Sequence, residues 1–404
     1  MLTEKLFLVN WNKLASHLSP QNCKVLVACS GGVDSIVLAH LLHNAGFTIH
    51  LLHVNYHLRG AESKEDEAFV KTFAATLQVP LKVLDTLQDT DFHQKKASIQ
   101  IAARTLRYEW FAAEAEKLAI DGKNVVTATA HHANDNAETL LMNFCRGTGI
   151  EGLTGIAGFD KNRQLIRPLL PFSKAEILNY AKTHNLVFRN DSSNAENKYT
   201  RNIFRNLIIP KIAEIFPAFE TNMQDNIERL EEVNALYKEI VSAKIAKAVV
   251  DKGSEKHIAI GILMKEKAAK SILWEIVKKY GFQFAQLNEL VKLITDAQNG
   301  ATVYSKTHRV IKNRNWLIIN TLNDSTEYFI SIDKNETKVE FPQGELNLAV
   351  SSNSENVNFQ STNSSIITIN ADKISFPLLL RKWRNGDYFY PLGMQKKKKL
   401  SRFF

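Results

Sequence analysis

In the first half of the chain, short apolar runs alternate with stretches whose apolar residues recur every three to four positions. Lys24-Val25-Leu26-Val27-Ala28-Cys29 is an apolar run of strand length, and Ile36 to Leu42 sets apolar side chains at 36, 37, 38, 41 and 42, a helical stripe. Thr48 to Val54 predicts a second strand. Glu62 to Leu77 predicts a helix with Ala68, Phe69, Phe73 and Leu77 on one side, and Leu81 to Leu84 a third strand. Ser98 to Leu118 reads as a long helix that buries Ile99, Ala103, Leu106, Trp110 and Ala113, Val125 to Ala130 as a fourth strand, and Ala133 to Phe144 as another helix. Strands separated by helices imply parallel units with right-handed crossovers. The expected fold class is therefore α/β with a doubly wound parallel sheet, which binds ligands at the carboxyl ends of its strands.

Beyond Pro217 the pattern changes. Phe219 to Val249 is helical with no strand signal inside it, Ser271 to Ala297 is mostly helical, and Val303 to Asn320 reads as two strands joined at Lys312-Asn313-Arg314. Ser351 to Ser365 is rich in Ser and Asn, as in a linker or long hairpin loop. Three domains are expected: residues 1–217 with the parallel sheet, a mainly helical or mixed middle domain over 218–322, and a small α+β domain over 323–404.

Composition narrows the class. With 404 residues, 45% hydrophobic and 23% charged, the chain has the balance of an ordinary globular protein. That excludes a mainly disordered, collagen-like or membrane-embedded chain, and no apolar stretch approaches the roughly 18 residues a spanning helix needs. Met1 to Leu14 has neither the apolar centre nor the cleavage site of a signal peptide. Cys23, Cys29 and Cys145 are too few for a disulfide scaffold or a four-cysteine metal site, so the cytoplasm is the expected compartment. The net charge of +9 is concentrated: Arg381 to Phe404 holds eight basic residues and one acidic one, among Trp383, Tyr388, Phe389 and Tyr390. Such a block suits a phosphate backbone and stacked bases, or is a solvated tail.

Ser30-Gly31-Gly32-Val33-Asp34-Ser35 follows the first strand and opens the first predicted helix. Its glycines allow a sharp turn and close approach of a ligand, and the helix start presents free N–H groups to an anion. The loop lacks both the Gly-Lys-Ser/Thr ending of a Walker loop and the Gly-x-Gly-x-x-Gly of dinucleotide binders. After the fourth strand comes His131-His132-Ala133-Asn134-Asp135-Asn136-Ala137-Glu138-Thr139. Asp135, Glu138 and Thr139 share one helix face. Taken alone the two acids cap a helix start; together they also suit Mg²⁺ on a triphosphate or an ammonium group. A zinc site made with His131 and His132 is the weaker reading.

The loop Ser-Gly-Gly-Val-Asp-Ser resembles that of the N-type ATP pyrophosphatases, which adenylate a substrate and release pyrophosphate. Within that superfamily the chain is similar to tRNA(Ile)-lysidine synthetases. The resemblance rests on His53-Val54-Asn55-Tyr56-His57-Leu58-Arg59-Gly60, on Arg104-Thr105-Leu106-Arg107-Tyr108, and on the His131–Thr139 stretch, where Asn134 and Asn136 replace the usual Asp and Gln. It continues through Arg146-Gly147-Thr148-Gly149 to Gly155-Ile156, Asp191-Ser192-Ser193-Asn194, Arg201-Asn202 with Arg205, and Arg381-Lys382-Trp383-Arg384. It covers nearly the whole chain, loosely over about 220–370. Family members usually continue past Lys399-Leu400-Ser401-Arg402-Phe403-Phe404, so a shortened last domain is expected here.

The resemblance implies ATP as a substrate, Mg²⁺ as cofactor, and tRNA(Ile) with a CAU anticodon and L-lysine as the other reactants. Ser30, Gly31, Gly32, Val33, Asp34 and Ser35 would hold the pyrophosphate end of ATP, and the strand end at His53 and Val54 the adenine. Asp34 would take Mg²⁺, and Asp135 and Glu138 would divide Mg²⁺ and the lysine amines between them. Arg104 and Arg201 are expected in the catalytic group with Asp34, Asp135 and Glu138. Arg107, Arg146, Arg205, Arg381, Trp383 and Arg384 are expected to touch tRNA. No feature calls for a membrane or a protein partner, and an oligomer is compatible with every one of them. Two alternatives stay open. A tRNA 2-thiolase would want active-site cysteines, and the chain has no Cys-x-x-Cys. A catalytically silent tRNA-binding protein would not need an intact loop with Asp135 and Glu138.

Overall fold

The computed structural model describes residues 1–58, 60–87, 99–119, 122–189, 200–322, 329–341, 344–350, 367, 369–384, 386–391 and 396–400. The chain divides into two compact units, Met1–Ser242 and Ala243–Phe404. Among the described residues no helix is long and apolar enough to cross a membrane.

The first unit is built on β1 (Cys23–Ala28), β2 (Thr48–Asn55), β3 (Leu81–Asp85), β4 (Asn124–Ala128), β5 (Phe159–Asp160) and β6 (Leu165–Ile166), in the spatial order β3-β2-β1-β4-β6-β5. All neighbours run parallel except β5 and β6. Val27 of β1 stands opposite Leu51 on one side and Ala128 on the other. Alternate residues of a strand face opposite sides of a sheet, and β1 shows it. Val25 and Val27 pack with Trp11, Ile36, Val37, Leu41 and Ile177, whereas Leu26 joins Leu52 and Phe111 in a separate cluster. Helices α1 (Glu4–Ala15), α2 (Val33–Asn44), α3 (Ala61–Thr76), α4 (Ile99–Leu118) and α5 (Ala133–Arg146) thus serve a sheet buried on both faces, as in a doubly wound fold.

The strand order explains where the site lies. The chain leaves β1 toward β2 on one side, and β4 returns on the other side of β1. The carboxyl ends of β1 and β4 therefore flank a crevice, the usual ligand position in such sheets. The Ser30–Ser35 loop leaves β1 there, and the His131–Asp135 segment leaves β4.

After α5 come α6 (Ile150–Leu153), α7 (Lys174–Thr183), α8 (Thr200–Ile203), a π-helical turn at Phe204–Ile208, α9 (Ile209–Ile215) and α10 (Phe219–Ala248), within which the division between units falls. The start of α7 is closed by a capping box: Ser173 Oγ accepts from the Glu176 amide at 3.3 Å and Glu176 Oε2 from the Ser173 amide at 2.9 Å.

The second unit carries a five-stranded antiparallel sheet in the order β7-β8-β11-β10-β9: β7 (Val249–Lys252), β8 (Glu255–Ala259), β9 (Thr302–Tyr304), β10 (His308–Asn313) and β11 (Trp316–Thr321). Its core joins Ile258, Val310 and Leu317 to Leu273 and Val277 of α12 (Ala269–Val277) and Leu290 of α13 (Leu287–Thr295), α11 being the short Ile260–Leu263 turn. The turn joining β10 to β11 falls at Arg314-Asn315, one residue beyond the sequence expectation, with Arg314 in the left-handed region at φ 53°. Paired strands follow: β12 (Phe329–Ile332) with β15 (Leu378–Arg381), β13 (Lys338–Phe341) with β14 (Gly344–Asn347), and β16 (Tyr388–Phe389) with β17 (Lys398–Lys399). The Ser351–Ser365 stretch lies outside the described residues.

Candidate active site

The loop after β1 is fixed by its backbone. Cys29 donates its N–H to Leu52 O at 2.8 Å, and His53 Nδ1 donates to Cys29 O at 2.9 Å, tying the loop to the end of β2. Burial pushes the His53 imidazole down, which favours this neutral form. Gly31 has φ 87° and turns the chain where an added Cβ would meet Phe69 and Val70 at 3.4 Å. Ser35 Oγ donates to Gly32 O at 2.9 Å and accepts from the Ser30 amide at 3.2 Å. Gly32 caps α2 without a side-chain hydrogen bond, so the first amides of that helix face the crevice as an anion-binding end.

Across the crevice, α5 begins at Ala133 after His132, whose amide donates to Asp135 Oδ2 at 3.0 Å. Asp135 and Glu138 share a face, as their spacing predicts, but Thr139 turns its hydroxyl back onto Asp135 O at 2.8 Å. Two arginines one helical turn apart meet this face. Arg201 Nε lies 2.6 Å from Glu138 Oε2 and its Nη2 2.9 Å from Asp135 Oδ1. Arg205, in the π-helical turn, places Nε 2.6 Å from Glu138 Oε1 and Nη2 2.7 Å from Asp135 Oδ1. Glu138 is only 1% exposed, while the Arg201 and Arg205 side chains stay 35% and 32% exposed, so two buried carboxylates are covered by two half-buried guanidiniums. Burial alone raises the Asp135 carboxyl, but His132, Arg201 and His131 together bring it below the ordinary range. Burial opposes charge on Arg205, and Glu138, Asp135 and Asp34 overcome it, raising its pKa.

Asp34 joins the two sides. Its carboxylate accepts from Lys174 Nζ at 2.7 and 2.8 Å, and its Oδ1 lies 4.0 Å from His132 Nε2. The same His132 Nε2 is 3.5 Å from Asp135 Oδ2. Asp34, Asp135, Glu138, Arg201 and Arg205 are thus one connected set.

Arg104 and Arg107 stand elsewhere. With Arg163 they surround the Tyr108 ring, their guanidinium carbons 5.0, 5.4 and 5.8 Å from its centroid. Nε of Arg107 and of the buried Arg167 find no acceptor. Arg146 is exposed at the end of α5. In the second unit Arg381 forms a bidentate pair with Asp387 at 2.9 Å, Arg384 lies 4.8 Å from the Phe329 ring centroid, and Trp383 is exposed. Arg59 and Asp191 to Asn194 fall outside the described residues.

A family model described as the PP-loop domain matches residues 7–212, and one described as the TilS substrate binding domain matches residues 251–322. The tRNA(Ile)-lysidine synthase of Parabacteroides distasonis is 36% identical over 392 residues, covering 96% of this chain and 86% of its own length. That of Bacteroides thetaiotaomicron is 34% identical over 387 residues, covering 96% and 85%. The chain belongs to the tRNA(Ile)-lysidine synthase family. As a member of the lysidine synthase family it is a ligase, and its first unit carries the ATP-using PP-loop domain. Among solved structures, the U34-tRNA thiolase NcsA of Methanococcus maripaludis aligns over 57% of this chain and 80% of its own, at 19% identity and a TM-score of 0.43.

Lys174, which meets Asp34, lies in a stretch without a motif and had no sequence signal of its own, whereas His132 stood inside the His131–Thr139 stretch. The capping pattern Ser173-x-x-Glu176 does mark a helix start beside Lys174.

His131 supplies a test of the site's electrostatics. Burial, reinforced by Arg167, Arg201 and Arg107 against the pull of Asp135, brings its imidazole down to about 3. A histidine kept neutral in the fold binds fewer protons than the unfolded chain does below its ordinary value. Its stabilisation is complete above that value and is lost as pH falls from it toward about 3. Between pH 7.5 and 5.5 the parent protein should lose about 1.4 kcal/mol more stability than His131→Asn, as read by urea unfolding at both pH values. Equal losses would mean that His131 titrates as it does in water.

Proposed function

We propose that the chain joins L-lysine to C2 of the wobble cytidine in the CAU anticodon of tRNA(Ile), giving lysidine, in two steps. The observation that carries this reading is the meeting of the Ser30–Ser35 loop with the acidic face of α5, where Asp34 and Asp135 both lie within 4.0 Å of His132 Nε2. That arrangement sets an anion-binding helix end beside carboxylates, as a nucleotide and a cationic nucleophile together require.

In the first step the cytidine O2 attacks the α-phosphorus of ATP and the bond to the β-phosphate breaks. The α2 amides and the Ser30 hydroxyl hold the departing pyrophosphate, and Ser35, whose hydroxyl donates to Gly32 O, keeps the loop in shape for it. The backbone at His53 and Val54, anchored through Cys29, carries the adenine. In the second step the lysine ε-amine attacks C2, AMP leaves, and the amine sheds a proton. Asp135 and Glu138 draw the lysine ammonium groups in. Since Arg201 and Arg205 already occupy these carboxylates, the ammonium groups of lysine exchange with them and free guanidiniums for the anion charge on the reacting phosphate.

The residues present fit Mg²⁺. Among the described residues no three His, Cys, Asp or Glu side chains are set to hold a metal by themselves, and Mg²⁺ needs only one or two carboxylates beside substrate phosphates and water. Asp34 and Asp135 would hold it. When bound it would offset phosphate charge at the reacting end of ATP.

The tRNA contacts divide by chemistry. Arg104, Arg107, Arg163 and Arg167 form a positive patch with no ion-pair partner within 4 Å among the described residues, suited to a backbone phosphate of the anticodon loop. Arg146, exposed at the end of α5, offers a further basic contact. Trp383, Arg384 and the lysines from 396 offer an aromatic and basic surface for more distant tRNA, with Arg381 bracing its loop through Asp387. In this reading residues 1–217 perform the chemistry, 218–322 and 323–404 hold tRNA, and the reaction takes place in the cytoplasm. Decoding shifts from AUG to AUA, and charging from methionine to isoleucine.

Leaving lysine out isolates the first step. With ATP labelled at the α-phosphorus, label should move onto an unmodified tRNA(Ile) transcript, and adding lysine should release it as AMP. Lysine-dependent AMP formation with no label on the tRNA would point instead to adenylation of lysine.

A further inference from the structure

The phosphate loop has one charged side chain, and it is an acid, Asp34. A triphosphate brings several negative charges, against which helix amides and two hydroxyls offer only dipoles. Loops of the Walker type carry a lysine of their own; this one has none, so a cation must come from another part of the chain.

Among the described residues, three basic side chains lie near the loop. Arg189 donates its amide to Gly31 O at 2.9 Å, but its guanidinium is held by Asp66 at 3.1 Å and Glu65 at 2.8 Å. Arg205 is held by Glu138 and Asp135. Lys174 meets Asp34 alone, at 2.7 and 2.8 Å. Its position is set by backbone: it is the first residue of α7, behind the Ser173–Glu176 capping box, and its amide donates to Asn134 Oδ1 at 3.0 Å. That bond pins Lys174 to the start of α5 while its side chain reaches the start of α2. The side chain stays 38% exposed, so its ammonium remains accessible.

We propose that Lys174 is the phosphate-binding cation of this loop: its ammonium rests on Asp34 in the nucleotide-free protein and turns to the β- and γ-phosphate oxygens when ATP is in place. The inference rests on reading the loop as that of an ATP pyrophosphatase. The move is electrostatic. The adjacent phosphate oxygens attract the ammonium, and its departure leaves the Asp34 carboxylate, which would hold Mg²⁺, free to do so. Lys174 then contacts the two phosphates that leave as pyrophosphate, at the point where charge builds up on the bridging oxygen. A lysine suits this exchange: it is a compact charge on a flexible stem, whose donors can turn from the two Asp34 oxygens to phosphate oxygens.

The test uses the full chain with Lys174→Met and Lys174→Arg, titrated calorimetrically with inorganic pyrophosphate and, separately, with AMP, in the presence of Mg²⁺. Lys174→Met should weaken pyrophosphate binding about tenfold or more, the size of one charge-assisted hydrogen bond. Lys174→Arg should stay within about threefold of the parent. AMP, which lacks the β- and γ-phosphates, should bind all three proteins alike. Unchanged pyrophosphate affinity in Lys174→Met overturns the proposal. So does an equal loss for AMP, because the loop itself would then have moved. A parent protein that binds neither ATP nor pyrophosphate overturns the loop reading and the role of Lys174 with it, a result visible before any substitution is made. If Lys174→Met fails to fold, Lys174→Gln against Lys174→Arg carries the same comparison.

Discussion

Replacing Asp34 by alanine is expected to abolish AMP formation while leaving the fold intact. The carboxylate is partly open to solvent and its ion pair is with Lys174, itself more than a third exposed. Such a pair is worth at most about 1 kcal/mol, so the melting temperature should hardly move. The catalytic cost is of another order. A carboxylate placed in a phosphate loop repels the triphosphate unless a cation bridges them, so its presence there is intelligible only as a cation holder. Without it, charge on the reacting phosphates is uncompensated, and a loss of about 10²–10³ or more in turnover follows, the size seen when one preorganised electrostatic group is removed. Initial rates at saturating Mg²⁺ provide the measurement. A folded Asp34→Ala protein adenylating at the parent rate would take Asp34 out of the chemistry.

Glu138→Gln should damage both stability and turnover. Glu138 accepts from Arg201 Nε at 2.6 Å and from Arg205 Nε and Nη2 at 2.6 and 3.0 Å, and it is almost wholly buried. The amide offers one acceptor oxygen where the carboxylate has two, and turns its NH₂ toward guanidinium donors. Glu138 is buried but its arginine partners are 35% and 32% exposed and can be rehydrated, so the expected cost is that of lost charge-assisted hydrogen bonds, about 1–3 kcal/mol. Denaturant unfolding should register most of that loss. Lysine-dependent product formation should fall steeply, or need far more lysine, because the site has lost the charge that draws in an ammonium group. A Glu138→Gln protein that unfolds at the parent midpoint and uses lysine as the parent does would reduce Glu138 to a helix-start residue.

The two halves of this site were unequally legible in the sequence. The strands at Cys23–Ala28 and Thr48–Asn55 are apolar because they are buried on both faces, and such runs are visible without any structure. The shared face of Asp135 and Glu138 follows from helical spacing alone. What spacing could not supply was their partners. Arg201 and Arg205 lie more than sixty residues away along the chain, and no local period links an acid on one helix to a base on another. Lys174 was hidden for the same reason, since its meaning comes from a contact with Asp34 across 140 positions. The two-residue strands Phe159–Asp160 and Leu165–Ile166 are too short to show alternation, and the hairpin of β7 and β8 follows a long helix without a break in composition. Helix α1, though amphipathic, precedes the first motif and gave no chemical cue.

The modified nucleoside is the most direct readout of the reaction. The purified chain should be incubated with ATP, Mg²⁺, isotopically labelled lysine and an unmodified tRNA(Ile) transcript bearing CAU, and the tRNA then digested to nucleosides for mass spectrometry. Ligation of lysine at the wobble cytidine gives labelled lysidine in place of one cytidine, dependent on both ATP and lysine, and none with a transcript whose wobble base is changed. ATP consumed with lysine present and the wobble cytidine still unmodified would contradict it.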